Sequence, residues 1–140
     1  MTLVDESTEF GARAAAHLRD DVVIWMTTVT AAGAPVPSPV WFLWDDDELV
    51  SMYSVEGVRI RNIESNPRVA LNFDGNGKGG DIVVLTGRAK VERGLPGADR
   101  NAVYLAKYAE HIKRIGMTPE GFAAKYSVPV HIELRALRGF

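Results

Sequence analysis

Apolar and polar positions follow one of two periods along most of the chain, and each change of period marks an expected element boundary. Phe10 to Leu18 is an alanine-filled amphipathic stretch that predicts a helix, with Ser7 and Thr8 available as caps. Val22–Thr30 is dense in β-branched and aromatic residues and predicts a strand, followed by a turn at Gly33. A second strand is expected over Val36–Trp44 and a third over Glu48–Ser54, with Asp45, Asp46 and Asp47 as the polar turn between them. Pro35, Pro37 and Pro39 cannot donate to a ladder, so the start of the second strand must be an edge, a bulge or a segment facing something other than a neighbour. Arg59–Ser65 predicts a short helix stopped by Asn66-Pro67. In Arg68–Asp74 the apolar residues Val69, Leu71 and Phe73 alternate, and a glycine-rich loop at 75–80 leads into a strand over Asp81–Glu92. Between Asp99 and Ile115, Leu105, Tyr108, Ile112 and Ile115 recur at helical spacing, with Glu110 and Arg114 placed to pair. Thr118-Pro119-Glu120 opens another short helix, and Val128, Val130, Ile132 and Leu134 form one face of a final strand.

That makes six strands and four helices. The helices interrupt the strands singly instead of alternating with each, which favours an antiparallel α+β arrangement or a partly open barrel over a doubly wound sheet. No repeat or linker divides the chain, so residues 1–140 read as one domain, long enough to bury a core. With 46% hydrophobic and 24% charged residues the composition is that of a globular protein. Sixteen basic and eighteen acidic residues leave a net charge of −2, which offers no general attraction to nucleic acid or an anionic membrane; any anion must be held locally. No apolar stretch approaches the roughly 20 residues of a membrane span. The acidic start Met1-Thr2-Leu3-Val4-Asp5-Glu6 lacks the features of a signal peptide, and the chain has no cysteine; both fit a cytoplasmic protein.

Several motifs tempt without carrying chemistry. Gly75-Asn76-Gly77-Lys78-Gly79-Gly80 matches G-x-G-x-x-G, but the residues after it are strand, so no helix start receives a phosphate, and Lys78 is followed by Gly79 where a P-loop needs serine or threonine. Asp45, Asp46, Asp47 and Glu48 read as a solvated turn. His17, His111 and His131 lack ligand spacing and are expected as ordinary surface histidines, with no metal site assigned. Ser38, Ser54 and Ser127 stand in no nucleophile motif, and no residue is singled out as catalytic. Trp41 and Trp44 have odd spacing and face opposite sides of a strand, leaving one to line a pocket or an interface. The segment from Ser54 to Leu71 is a strand, a glycine loop and the start of a basic helix, where backbone N–H groups beside Arg59 and Arg61 form a local phosphate site. The alternative is that both arginines are solvated or paired with Glu56 and Glu64. Residues two apart on a helix point about 200° away from each other, so both cannot face one phosphate, and Arg59, in the first turn, ranks first.

Trp25-Met26-Thr27-Thr28-Val29, the run from Gly33 to Trp44, Arg61-Asn62-Ile63 with Asn66-Pro67-Arg68-Val69, Gly79 to Leu85, and Tyr104 to Tyr108 through Ile115 to Pro119 carry a resemblance over almost the whole chain. The chain resembles the pyridoxamine-phosphate-oxidase-like split β-barrels, particularly the actinobacterial F420-dependent flavin/deazaflavin oxidoreductases. The resemblance implies a six-stranded antiparallel split β-barrel with peripheral helices. It further implies a homodimer with each cofactor in a groove at the interface, the cofactor being the deazaflavin F420 or, alternatively, FMN. The implied activity is hydride transfer to a small organic acceptor; an FMN-dependent oxidoreductase or a non-catalytic carrier are the alternatives. Carried onto this sequence, Ser38, Pro39, Val40 and Trp41 would lie against the ring, and Met52, Tyr53 and Ser54 would border the groove. Arg59, Ile60, Arg61 and Asn62 would serve the phosphate end, with Arg59 standing where the family has a lysine, in a loop one residue shorter.

Overall fold

The computed structural model describes residues 2–140. Helix α1 (Glu9–Asp20) precedes β1 (Val23–Val29), β2 (Pro35–Trp41), β3 (Leu43–Trp44) and β4 (Leu49–Ser54). Then come α2 (Val58–Ser65), β5 (Arg68–Asn72), β6 (Val83–Val91), a 3₁₀ turn at Ala98–Arg100, α3 (Ala102–Arg114), α4 (Pro119–Lys125) and β7 (Val128–Gly139). All strands join one sheet in the order β2-β1-β5-β6-β7-β4-β3, every neighbouring pair antiparallel. The two ends of that order, β2 and β3, are separated in the chain by Phe42 alone. The sheet therefore curls until its edges meet at one residue, which makes a partly open barrel of an α+β protein.

Among the described residues there are seven strands where the sequence predicts six, because the second expected strand changes partner at Phe42: β2 pairs with β1, β3 with β4. Such a switch takes one peptide out of both ladders, and a buried peptide needs other partners. Tyr108 of α3 supplies them. Its hydroxyl accepts from the Phe42 N–H at 2.8 Å, and its single proton lies between the carbonyls of Val22 (2.7 Å) and Phe42 (2.8 Å). The prolines of β2 also find a place. The Thr30 N–H donates to the Ala34 carbonyl, so the backbone groups of even-numbered residues turn toward β1 and those of Pro35, Pro37 and Pro39 turn away. The missing donors fall on the free edge, where none is needed.

Inside the barrel Ile24, Met26, Phe42, Val50, Met52, Leu71, Leu85 and Ile132 form the core, plugged by Ala14, Ala15 and Leu18 of α1. Outside it, Tyr104, Tyr108 and Ile112 of α3 and Phe122 of α4 pack on Trp41, Leu43 and Tyr53, the outward residues of β2 to β4. The expected helix over Asp99–Ile115 is split, because the Asn101 side chain accepts from the Tyr104 N–H and starts α3 there. Arg114 turns to His111 at 3.2 Å in place of the anticipated Glu110. The last strand runs past Arg135 to Gly139, with a bulge opposite Thr86 and Gly87; a Cβ on Gly87 would stand 2.6 Å from the Glu133 carbonyl oxygen. His17 is not an ordinary surface histidine. It bridges Asp21 (2.7 Å) and Asp81 (2.9 Å), and Arg13 joins Asp81 at 2.8 Å, tying α1 to the loop before β6. The glycine-rich loop is a hairpin turn whose Asn76 side chain accepts from the N–H groups of Lys78 and Gly80. Among the described residues no helix is long and apolar enough to cross a membrane.

Candidate functional site

At the split of the barrel β2 approaches β4, and Arg59, in the first turn of α2, reaches between them. Its guanidinium donates to Ser38 Oγ of β2 at 2.9 Å and to Ser54 Oγ of β4 at 3.1 Å, while its Nε is buried without a partner. Glu56 and Glu64, the carboxylates nearest in sequence, do not neutralise it: both are taken by Arg93, from the loop after β6. Burial, partly opposed by Tyr126, draws the Arg59 pKa below its ordinary value, yet a guanidinium stays charged at neutral pH. The result is a half-buried cation whose protein partners are two neutral hydroxyls.

The start of α2 adds to this. Gly57, its N-cap, has φ 150°, a conformation that favours glycine, and so carries no side chain to cap the helix; the first turn also has no acid. By contrast α1 and α4 each begin with a capping threonine and a glutamate, and α3 with a capping asparagine. The first N–H groups of α2 and the positive end of its dipole are left for an anion.

Arg59 opens onto a cavity of about 310 Å³. Pro39, Val40, Trp41, Tyr53 and Val55 form its barrel wall; Tyr104 and Ile115 from the α3 region and Phe122 and Tyr126 from the α4 region close it. Trp41 stacks nearly parallel on Tyr108 (4.9 Å between ring centroids) and on Phe122 (5.5 Å), and Tyr53 accepts from the Asn101 side chain at 2.8 Å. Burial raises the phenol pKa of Tyr104, so it stays protonated across the physiological range. Flat aromatic walls and a single cation suit a planar ligand with an anionic group.

The structure thus gathers Ser38, Ser54 and Arg59, and sets Pro39, Val40, Trp41 and Tyr53 on the cavity wall. The other named residues go elsewhere. Met52 and Ile60 are core residues at 1% exposure, and Asn62 donates inside the barrel to Thr28 Oγ1 at 3.1 Å. Arg61 is exposed. Of the two tryptophans facing opposite ways, Trp41 lines the cavity, while Trp44 packs toward the barrel core and under Arg19. Sequence reasoning missed the outer wall of Tyr104, Ile115, Phe122 and Tyr126. The pairs Tyr104/Tyr108 and Phe122/Tyr126, each four apart, are aromatic faces that could have marked it.

A curled antiparallel sheet with peripheral helices, open between β2 and β4, defines an α+β split barrel. The chain belongs to the pyridoxamine 5'-phosphate oxidase family, whose model matches residues 10–133. Among solved structures it is similar to an F420 reductase (20% identity, TM-score 0.67, covering 88% of this chain and 94% of that one). It is similar to an FAD-binding protein from Mesorhizobium loti (20%, 0.66, 90% of each chain) and to the heme storage protein HutZ from Vibrio cholerae (18%, 0.60, 99% and 95%). These likenesses are of fold. A comparison with curated protein sequences gives no significant match.

Proposed function

We propose that this protein is an F420-dependent oxidoreductase, working as a homodimer, that passes a hydride between the deazaflavin and a small organic acceptor. The observation that carries this reading is Arg59: a cation without a carboxylate, its Nε unpartnered, at an uncapped helix start beside an aromatic cavity. A phosphate-bearing planar cofactor answers each of these features. Arg59 and the first N–H groups of α2 would hold the phosphate, and Ser38 and Ser54 keep the guanidinium in place. Trp41, stacked on Tyr108 and Phe122, and the proline-bearing edge of β2 would orient the ring system. Tyr53, Phe122 and Tyr126 exclude water from it. The cofactor supplies the hydride chemistry; the chain contributes binding, orientation and shielding, and no side chain here is assigned proton transfer. At about 310 Å³ the cavity is at the small end for cofactor sites, as expected of a groove that a second copy completes.

FMN is the second reading, a flavin as is the FAD in the name of a comparably similar protein. Parallel fluorescence titrations with F420 and FMN, followed by turnover with a panel of acceptors, separate these readings. Tight F420 binding with acceptor reduction is the expected result. Tighter FMN binding would replace the cofactor, F420 binding without turnover would make the protein a carrier, and binding of neither would end the cofactor reading.

A further inference from the structure

The donors and acceptors around the aromatic cavity do not balance. Its wall carries the phenols of Tyr53, Tyr104 and Tyr126 and the guanidinium of Arg59, with no carboxylate or imidazole among the lining residues. Tyr53 accepts from Asn101, and its own proton finds no acceptor among the described residues. Outside the helix ladder Tyr104 is hydrogen-bonded only through its backbone N–H, which donates to the Asn101 side chain; its hydroxyl has no partner among the described residues. Tyr104 is also the deepest of the three phenols, at 1% exposure, where Tyr53 and Tyr126 are half-buried. Its ring stands edge-on to Tyr53 (4.9 Å between centroids) and tilted against Tyr108 (4.7 Å) and Phe122 (5.9 Å), so packing fixes where the hydroxyl points. That hydroxyl is not sealed in. Arg59 Nε is the one side-chain polar atom among the described residues that is both fully buried and unpartnered, so the Tyr104 oxygen meets the cavity that its ring lines.

Phenylalanine would pack as well here without placing an unpartnered hydroxyl in the interior. Burial holds the phenol pKa above its ordinary value, so the group stays neutral and has a proton to donate. A ligand must therefore bring the acceptor. Flat rings on the wall select a planar body, and a wall without carboxylates has nothing to hold a cation. An anionic group has Arg59, whose phenol neighbour is Tyr126. What is left for Tyr104 is an uncharged oxygen.

We propose that the Tyr104 hydroxyl donates to the oxygen of a planar, uncharged carbonyl compound bound on the α3 side of the cavity. As the place of the hydride acceptor it rests on the function proposed above, in which the cofactor ring takes the β2 side. As a carbonyl subsite it stands without that function.

The test is equilibrium dialysis of the intact protein, without cofactor, against fluorenone and against fluorene, the same planar frame with a methylene in place of the carbonyl. The parent should prefer the ketone by about fivefold or more, and Tyr104→Phe should abolish the preference by weakening fluorenone while fluorene binds as before. The variant should melt no lower than the parent, because only an unpartnered hydroxyl is removed. It should also keep the parent's affinity for F420, with a raised KM for a carbonyl acceptor in turnover. No ketone preference in the parent, or a preference that survives in Tyr104→Phe, overturns the proposal. So does a lower melting temperature, which would give the hydroxyl to the packing, or a matching loss of F420 affinity, which would give it to the cofactor. A parent that fails to bind F420 but shows a ketone preference set by Tyr104 ends the cofactor reading and supports the subsite.

Discussion

Arg59 was legible in the sequence as a cation at a helix start, but its isolation was not. Glu56 and Glu64 lie close enough in the chain to pair with it, and only the fold brings Arg93 across to occupy both. With no competing carboxylate, Arg59→Ala should weaken F420 binding at least about tenfold, from the loss of a charge-assisted contact of about 1.5–3 kcal/mol. Arg61→Ala, removing an exposed side chain, should do less. Binding isotherms for the two variants at low and high salt check this, and unchanged affinity in a folded Arg59→Ala protein removes Arg59 from the site. Tyr108 is the opposite case, a residue readable only as part of a helix face that turns out to serve the backbone of another element. Tyr108→Phe strands the Phe42 N–H in the core and should cost about 1–3 kcal/mol of stability, measured by denaturant unfolding.

At the scale of elements, period and turn chemistry locate every strand and helix to within a few residues. What they miss is decided by contacts from far along the chain. The break between β2 and β3 needs the Tyr108 hydroxyl, and the extension of β7 needs β6 beside it. The bulge on that pair depends on Gly87: Gly87→Ala sets a Cβ 2.6 Å from one backbone oxygen and 3.0 Å from Ile132 Cγ2, and should lower stability by about 1–3 kcal/mol in a thermal melt. The junction of α1 with the loop before β6 gives a pH dependence. Burial lowers the His17 pKa, but Asp21 and Asp81 together outweigh it, and the net shift is upward. The imidazolium thus stabilises the fold fully below the ordinary histidine value, and this contribution is lost as pH rises through the raised folded value. His17→Gln should flatten that part of the stability profile; a parent and variant with parallel profiles would contradict the assignment.

For the whole molecule, a site that one chain leaves small and open is expected to be completed by a second. Light scattering at micromolar concentration should give twice the mass of the chain, with an interface above roughly 2,000 Å² in total. A monomer would contradict it. The sheet order has a further consequence, for synthesis. β1 with β2, and β5 with β6, find their partners within a hairpin, but β4 lies against β7, the last strand in the chain. During translation β3 and β4 leave the ribosome together and wait, one of their edges bare, while both peripheral helices and the final strand are made. Tyr108, which seals the junction between β2 and β3, also arrives in that interval. Closure of the barrel is therefore a late event in the life of each nascent chain, and the two halves of the future site, Ser38 on β2 and Ser54 on β4, are fixed across from each other only when it is done.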